Sequence, residues 1–456
     1  MSVNLFPHQS EALSVTADKN RVAFYHDMGL GKTFTGGEKL IQLGAKVNLV
    51  VCQKSKINDW VEHFRDNYEL PYNMMIYDCT KWNKSDWLLF SNDTEFKKDA
   101  HQQDVTVLVI NYELAFRRPE LVKLTDFTLM LDESSLIQNE QAKRSKFILK
   151  KLKPANVILL SGTPTGGKYE NLWSQMRLLG WNISKTTYWN TYIDYHYEDM
   201  GGFPVRFIDG YKNVDRLKHK MREYGCHFLK TEDVLELPDQ IFTTVKVPVS
   251  KEYRKFRKDR VITLNTYKNQ FCEYTGDDSD YYGKDVTPTV QLVGDNTLTK
   301  MLYERQLCGQ YSKAKLEAFR DLVESTEDRL IVFYNFTSEL DQLRLIANDL
   351  NRPHGAVNGQ NKNLTPYENY GNSITLIQYQ AGAMGLNLQK ANKIIYYSPP
   401  LSSELYEQSK KRIHRIGQRG TCYYYNLTVT GSIEERIYNT LAMRRDYTEK
   451  LFEEEN

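Results

Sequence analysis

Two segments far apart in the chain carry residues that are suited to binding phosphate groups. In the first segment, residues 27–33, Gly29 and Gly31 precede Lys32 and Thr33. Glycines let backbone N–H groups approach a phosphate closely, and the start of a helix adds positive charge. We therefore predict that Lys32 reaches the β and γ phosphates of a nucleotide and that Thr33 ligates Mg²⁺.

This loop departs from the strict pattern G-x-x-x-x-G-K-[ST] at one position, because His26 stands where the first glycine is required. Taken alone, the segment also fits an ordinary glycine-containing turn between a strand and a helix. Its interpretation as a phosphate site therefore depends on residues elsewhere in the chain.

Two carboxylates directly follow the apolar run at residues 127–131. The carboxyl ends of strands in a parallel sheet are where ligands bind. We predict that Asp132 holds Mg²⁺ and that Glu133 orients or deprotonates the attacking water. An acidic loop start is the alternative, but the position of the pair after the phosphate loop favours the site.

Residues 160–165 end a further apolar run and include Ser161, Thr163 and Thr165. We predict that hydroxyl groups there link the carboxylate pair to groups across a cleft. A simple turn also fits, because Gly and Pro commonly interrupt regular structure.

The second phosphate-binding segment is residues 408–418. Gln408, Arg412 and Arg415 are spaced i, i+4 and i+7, which predicts one face of a helix, and Gly417 predicts that the helix stops there. Arginine binds phosphate oxygens through a bidentate fork, so Arg412 and Arg415 are predicted to stabilise charge on a γ-phosphate. The alternative is a solvated basic helix face.

The elements that must position these residues follow an alternating pattern of strands and helices, which predicts an α/β fold with parallel sheets. We predict two such lobes, residues 1–225 and 311–456, joined by a helical or irregular insertion at 226–310. The predicted strands of the two lobes are 22–26, 47–52, 105–111, 127–131, 156–161, 329–334, 373–379, 393–397 and 421–428.

The insertion is predicted to contain a strand at 241–249, a charged helix near 251–260, an acidic loop at 273–285 and a helix at 298–307. The charged helix suggests a DNA-binding patch. However, the spacing of Tyr253 and Phe256 favours one packed face with solvated charges around it.

The bulk composition fits a globular protein of more than one domain, because 456 residues exceed what one hydrophobic core holds. There is no apolar run of membrane-spanning length and no secretory pattern at the N-terminus, so we expect a cytoplasmic protein. The six cysteines lack metal-site spacing and are expected to be reduced. A net charge of +2 neither predicts nor excludes a polyanion partner.

In their order along the chain, these segments resemble the Swi/Snf family of helicase-like DNA translocases in helicase superfamily two. The most specific match is His414-Arg415-Ile416-Gly417-Gln418. The other matching segments are 5–9, 27–33, 49–64, 109–113, 161–164, 170–173, 331–336, 380–388 and 430–437. The chain looks like a compact motor core of the kind found in bacteria and their viruses.

The resemblance implies two RecA-like lobes that use ATP and Mg²⁺ to translocate on double-stranded DNA. It implies that Gln9 reads adenine and that Gln408 contacts the nucleotide. It also implies sequence-independent contacts with DNA from Lys54, Ser55, Asn111, Tyr112, Thr163, Asn335, Phe336, Gln380 and Gly382.

Two positions depart from the family pattern. Ser134-Ser135 follows Glu133 where the family more often has a small residue and then His, so coupling to the neighbouring motif is expected to differ. Leu401 stands where many members carry tryptophan, which removes one expected aromatic on the DNA side.

Three functions are compatible with these residues. The leading hypothesis is a DNA-stimulated ATPase that moves on duplex DNA as a monomer in a bacterial or phage-infected cell. It would work with a nuclease or with a replication or recombination protein. The alternatives are a strand-separating DNA or RNA helicase and a nucleotide-responsive DNA-binding scaffold with little turnover.

Overall fold

The protein is described by a computed structural model that covers residues 3–92, 105–199, 201–265, 289–382 and 386–452. The chain divides into two compact units, Met1–Glu236 with Arg444–Asn456, and Leu237–Met443. Each unit has its own parallel sheet, which confirms the predicted α/β fold with two lobes. The predicted acidic loop at 273–285 lies outside the described residues, as do residues 383–385 of the matched segment 380–388.

The first unit is built on a seven-stranded sheet of order β3-β4-β2-β5-β6-β1-β9, in which all pairings are parallel. A separate antiparallel hairpin joins β7 to β8. The strands are β1 Arg21–His26, β2 Val47–Cys52, β3 Met74–Asp78, β4 Val105–Asn111, β5 Thr128–Asp132, β6 Asn156–Leu160, β7 Ile193–Asp199, β8 Pro204–Tyr211 and β9 Cys226–Leu229.

Helices cover both faces of this sheet, as the nearly continuous apolar strands require. Alternate residues of β1 enter two different apolar clusters, Ala23 and Tyr25 in one and Val22 and Phe24 in the other. The α-helices are α1 Pro7–Val15, α2 Lys32–Leu43, α3 Ile57–Tyr72, α4 Lys84–Asn92, α5 Tyr112–Ala115, α6 Lys143–Lys150, α7 Trp173–Leu178, α8 Lys185–Tyr192 and α9 Val214–Glu223.

The second unit contains a six-stranded parallel sheet of order β10-β17-β16-β13-β15-β14 and an antiparallel pair of strands, β11 with β12. Its strands are β10 Gln240–Val247, β11 Val261–Asn265, β12 Thr289–Val293, β13 Leu330–Tyr334, β14 His354–Val357, β15 Ile374–Gln378, β16 Lys393–Tyr396 and β17 Cys422–Val429. Its helices are α10 Lys251–Asp259, α11 Thr297–Gly309, α12 Lys313–Glu324, α13 Thr337–Asp349, α14 Thr365–Asn369, α15 Tyr379–Gly382, α16 Ser403–Lys410 and the first part of α17 Ile433–Phe452, whose residues from Arg444 onward are assigned to the first unit.

Every strand predicted for the two lobes is present, with its ends within one residue of the prediction. To the two parallel sheets the structure adds three short strands that the sequence did not predict, β3, β9 and β14, and it also adds the antiparallel pairs β7 with β8 and β11 with β12. Two segments of the predicted insertion belong to the sheets, since β9 pairs with β1 and β10 pairs with β17. The division between the units at 236 and 237 therefore does not coincide with the predicted boundaries at 225 and 310.

The charged helix predicted in the insertion is α10. Tyr253 and Phe256 are buried in the core of the second unit, which agrees with the packed-face interpretation. The basic side chains of α10 lie on the exposed remainder of the helix.

Within the described residues, no helix is both long enough and apolar enough to cross a membrane. The five cysteines in the described part of the chain are buried and free of disulfide bonds.

Candidate functional site

The predicted phosphate loop connects β1 to α2 in the first unit. Its backbone turns through positive φ at Gly29 (89°) and Gly31 (71°), a region that glycine occupies without strain. A Cβ at position 31 would also lie 2.2 Å from Nε2 of Gln9. Both the conformation and the close approach of Gln9 therefore require glycine at this position.

Lys32 begins α2, and its ammonium group turns back over the loop. Nζ donates hydrogen bonds to the carbonyl oxygens of His26 (2.8 Å) and Asp27 (3.1 Å). A Cβ at Gly162 would lie 3.3 Å from Nζ of Lys32 and 3.4 Å from the His26 carbonyl oxygen. The segment after β6 therefore packs directly on the phosphate loop, as expected because β6 and β1 are neighbours.

Gln9 contacts the phosphate loop through its carboxamide. Nε2 donates to the carbonyl oxygens of Leu30 (3.3 Å) and Gly31 (3.1 Å), and Oε1 accepts from the backbone N–H of Phe6 (2.9 Å). These contacts position the loop, while adenine recognition by Gln9 stays a prediction.

Contacts from β9 and the residues after it support the loop, and no sequence pattern predicts them. The backbone N–H and the hydroxyl of Thr231 each donate to Oδ2 of Asp27, at 3.1 Å. Nε2 of His26 lies 2.9 Å from Nδ1 of His227. Burial, followed by the nearby His227 and Lys32, lowers the pKa of His26, so this residue is neutral beside the lysine.

The two predicted carboxylates stand at the carboxyl end of β5. The indole N–H of Trp60 donates to Oδ2 of Asp132 (2.9 Å), and the hydroxyl of Tyr112 donates to the Asp132 carbonyl oxygen (2.9 Å). Burial raises the pKa of Asp132, while the Trp60 hydrogen bond and the charge of Lys32 act in the opposite direction. Trp60 and Tyr112 therefore support the carboxylate segment, although the resemblance placed Tyr112 on the DNA side.

Glu133 has a left-handed backbone, with φ 53° and ψ 61°. Non-glycine residues rarely adopt this conformation, and where they do the surrounding structure usually imposes it. Oε2 of Glu133 lies 3.4 Å from Oγ of Ser161, which is the kind of hydroxyl link that the sequence predicted after β6.

The oxygen donors in this region fit Mg²⁺. Asp132 and Thr33 supply a carboxylate and a hydroxyl, the hard ligands that Mg²⁺ takes from a protein when phosphates and water complete its coordination. The described residues contain no cluster of three or more His, Cys, Asp or Glu side chains that could hold a metal without such help.

The predicted arginine helix is wrong in its extent. Helix α16 ends at Lys410, so Gln408 is helical while Arg412 and Arg415 lie in the turns that follow. The carbonyl oxygen of Arg412 accepts from the N–H of Leu388 (3.1 Å), and that of Ile413 accepts from Nε2 of Gln418 (3.2 Å). The backbone is therefore bonded to other parts of the second unit.

Both arginines are held within the second unit. Arg412 is buried, and a guanidinium N–H of Arg415 donates to Oδ1 of Asn387. Burial lowers the pKa of Arg415. His414 Nε2 lies 2.9 Å from the Pro238 carbonyl oxygen. The segment is thus a folded turn and not a solvated helix face.

The DNA-side candidates of the first unit follow three strands of the same sheet, β2, β4 and β6. Lys54 and Ser55 lie exposed after β2, and Asn111 ends β4, where Cys52 pairs with Asn111. Asn111 donates to Oε2 of Glu113 (3.0 Å). Thr163 is buried after β6, and its N–H donates to Ser161 Oγ (3.2 Å).

The DNA-side candidates of the second unit also share one edge. Asn335 and Phe336 follow β13, and Gln380 and Gly382 lie in α15, which follows β15. These two strands are paired at Tyr334 and Gln378. Asn335 Nδ2 donates to Ser398 Oγ (2.8 Å) and to the Pro399 carbonyl oxygen (3.0 Å), and Gln380 is exposed. The structure brings these candidates together, and their contact with DNA stays a prediction.

Comparison with known proteins gives matches over most of the chain. The family described as SNF2-related domain matches residues 8–310, and the helicase conserved C-terminal domain matches residues 314–417. The Bacillus subtilis protein YwqA is 23% identical over 450 residues, covering 94% of this chain and 46% of YwqA. The ISWI chromatin-remodeling complex ATPase ISW1 of Saccharomyces cerevisiae is 21% identical, covering 95% of this chain and 39% of ISW1. The chain thus spans less than half of each relative.

A solved structure, the Sulfolobus solfataricus SWI2/SNF2 ATPase core in complex with dsDNA, matches with a TM-score of 0.42 and 20% identity. That alignment covers 98% of this chain and 92% of the other. A score this low adds nothing to the fold assignment, which depends on the two sheets themselves.

Proposed function

Because the chain belongs to the SNF2-related family of helicase-like ATPases, we propose that it hydrolyses ATP in response to duplex DNA and moves along the duplex. One observation carries the proposal. In the first unit, Lys32, Asp132, Glu133 and Ser161 gather at the carboxyl ends of three neighbouring parallel strands, β1, β6 and β5. This edge of a parallel sheet is where nucleotides bind.

The residues of this edge divide the chemistry among them. Lys32 exchanges the carbonyl oxygens of His26 and Asp27 for phosphate oxygens, which are stronger acceptors because they are charged. Glu133 orients the attacking water and accepts its proton, and Ser161 holds the carboxylate in place. Asp132 and Thr33 would hold Mg²⁺, which when bound neutralises charge on the phosphates.

The second unit supplies guanidinium groups in this proposal. Arg412 and Arg415 lie three residues apart in the turns after α16, where Arg412 is buried and Arg415 is half-buried. A desolvated guanidinium interacts more strongly with a phosphate oxygen than an exposed one does. We propose that these arginines contact the γ-phosphate.

Duplex DNA is the proposed partner, with contacts to its backbone and not to its bases. The exposed candidates are polar or basic, Lys54 and Ser55 in the first unit and Gln380 in the second, and such groups suit phosphate oxygens. The relative ISW1 is named as a chromatin-remodeling complex ATPase, which agrees with this substrate class. A monomeric motor in the cytoplasm, working beside a nuclease or a replication or recombination protein, remains part of the proposal.

Steady-state ATP turnover with a panel of nucleic acids tests the proposal. We expect turnover to rise with blunt duplex DNA and to rise less with single-stranded DNA or RNA. Unchanged turnover across the whole panel would contradict it. Strand release from forked DNA or RNA duplexes would instead support a strand-separating helicase.

The salt dependence of duplex affinity tests the backbone contacts separately. Each phosphate that a protein neutralises releases counterions, so affinity should fall steeply between low and moderate salt. A flat response would be inconsistent with tracking along the phosphate backbone.

A further inference from the structure

A buried carboxamide connects the carboxylate segment to the segment after β6. Gln175 of α7 is fully buried. Its Oε1 accepts a hydrogen bond from Oγ of Ser134 (2.7 Å), and its Nε2 donates to the carbonyl oxygen of Pro164 (2.8 Å). A carboxamide can do both because it carries an acceptor and a donor on one rigid plane.

A second carboxamide makes a parallel connection four residues earlier in the chain. Asn171 Nδ2 donates to Oε1 of Gln138 (2.8 Å) and to the carbonyl oxygen of Thr165 (3.0 Å). The partners run in the opposite order along the chain, because the earlier Asn171 bonds to Gln138 and Thr165 while the later Gln175 bonds to Ser134 and Pro164. Residues 171–175 therefore tie the same two segments together at two points.

These two segments carry the groups that must act on water. Ser134 is the residue after Glu133, whose backbone has the left-handed conformation. Ser161 lies three residues before Pro164, and its hydroxyl is 3.4 Å from the Glu133 carboxylate. A shift of either segment would change that distance, and hydrogen bonds from a packed helix oppose such a shift.

We propose that Asn171 and Gln175 form a carboxamide bridge that positions Glu133 against Ser161 for hydrolysis. The inference rests on the proposed function, because it assigns these residues a role in the same ATPase site. The bridge also gives a physical role to Ser134, the first residue of the Ser134-Ser135 departure from the family pattern. Asn171 and Gln175 are positioning residues, since they act through Glu133.

The test compares two substitutions that each remove one buried hydroxyl. Ser134→Ala breaks the bridge, while Tyr188→Phe removes the hydrogen bond from Tyr188 to the Tyr169 carbonyl oxygen (2.7 Å), which holds the residues just before α7. Ser134 and Tyr188 are both fully buried. Thermal unfolding of the full chain will show whether the two variants lose similar stability.

For Ser134→Ala we expect kcat for DNA-stimulated ATP hydrolysis to fall about tenfold, because a positioning contact is lost. Oε1 of Gln175 keeps a second hydrogen bond, from the hydroxyl of Tyr25 (3.0 Å), so Gln175 stays in place while Ser134 is released. The KM for ATP and the affinity for duplex should stay unchanged. Tyr188→Phe should retain the parental kcat, and Ser134→Thr, which keeps the hydroxyl, should recover turnover.

Two results would overturn the bridge while leaving the proposed function intact. The first is a parental kcat in Ser134→Ala, and the second is an equal loss of kcat in Tyr188→Phe. If the parent protein itself hydrolyses no ATP with any nucleic acid, the proposed function fails and the bridge fails with it.

Discussion

The two units present their candidate nucleotide contacts in different ways. In the first unit, Asp132 ends β5, and Lys32 begins α2 after the loop that follows β1. Neighbouring parallel strands bring the partners of both residues close. In the second unit, Arg412 and Arg415 lie in turns beyond the end of α16. Bonds to residues 387–391 and to Pro238 hold those turns.

This difference shows that a functional side chain can be positioned in two ways, by the regular geometry of a sheet or by individual contacts of a turn. Strand ends place residues through the regular geometry of the sheet, so a substitution there should alter chemistry and leave the fold largely intact. Turns place residues through individual long-range contacts, so a substitution there should be more sensitive to the detailed shape of the side chain.

The largest expected effect is at the strand-end carboxylate. Glu133→Gln keeps the size of the side chain and removes its ability to accept a proton, so kcat should fall about 10³-fold while ATP still binds. Single-turnover hydrolysis and nucleotide binding by fluorescence would separate the two steps.

Glu140→Gln is the matched control for this change. Glu140 lies in the same stretch of chain but bonds to Lys185, away from Ser161. We expect its kcat to equal that of the parent. Substantial turnover by Glu133→Gln would show that Glu133 does not accept the proton of the attacking water. The site in the first unit would then lack its proposed general base.

The second-largest expected loss of turnover is at Arg415, in the turns after α16. Arg415→Lys preserves the charge but loses the planar fork that binds two oxygens at once, so kcat should fall on the order of 10²-fold. Arg419→Lys makes the same change at an exposed arginine in the same segment and should have no effect. Steady-state ATP turnover with saturating duplex measures both.

Equal turnover by Arg415→Lys and the parent would mean that this guanidinium only supports the fold through Asn387. The nucleotide site would then be confined to the first unit. The candidate residues of the first unit would then be catalytic, and Arg415 of the second unit would be structural.

The sequence predicted the strand-end part of the molecule well, because apolar runs, glycines and carboxylates are local signals. Those signals, together with the parallel order of the strands, place four residues at one edge of the sheet: Gly31, Lys32, Asp132 and Ser161. Short strands with polar residues, such as β9 with His227, gave no comparable signal.

Contacts that join distant parts of the chain could not be predicted from the sequence. The end of α16 at Lys410 depends on the hydrogen bond between Leu388 and Arg412, and the position of Ser134 depends on Gln175. Neither partner follows from periodicity. For the same reason the sequence did not predict the hydrogen bond from the indole N–H of Trp60 to Asp132.

The smallest expected effect is a shift in the pH dependence of kcat/KM when the indole of Trp60 is removed. Asp132 must be ionised to act, so kcat/KM should rise with pH through its pKa, which burial has raised above the ordinary value. Trp60→Phe removes a hydrogen bond that stabilises the ionised form. The pKa of Asp132 should therefore increase, and the acidic limb of the profile should move up by about one pH unit.

Trp87→Phe is the matched control for the loss of an indole. Trp87 is also buried in the first unit, and within the described residues its Nε1 has no hydrogen-bond partner. Both variants lose apolar packing, but only Trp60→Phe should move the acidic limb of the pH profile. On the alkaline plateau, kcat/KM of both variants should equal that of the parent, apart from any loss of stability that the two variants share. An unmoved limb in Trp60→Phe would show that a group other than Asp132 sets the acidic pKa. The hydrogen bond from Trp60 would then make no contribution to the activity of the site in the first unit.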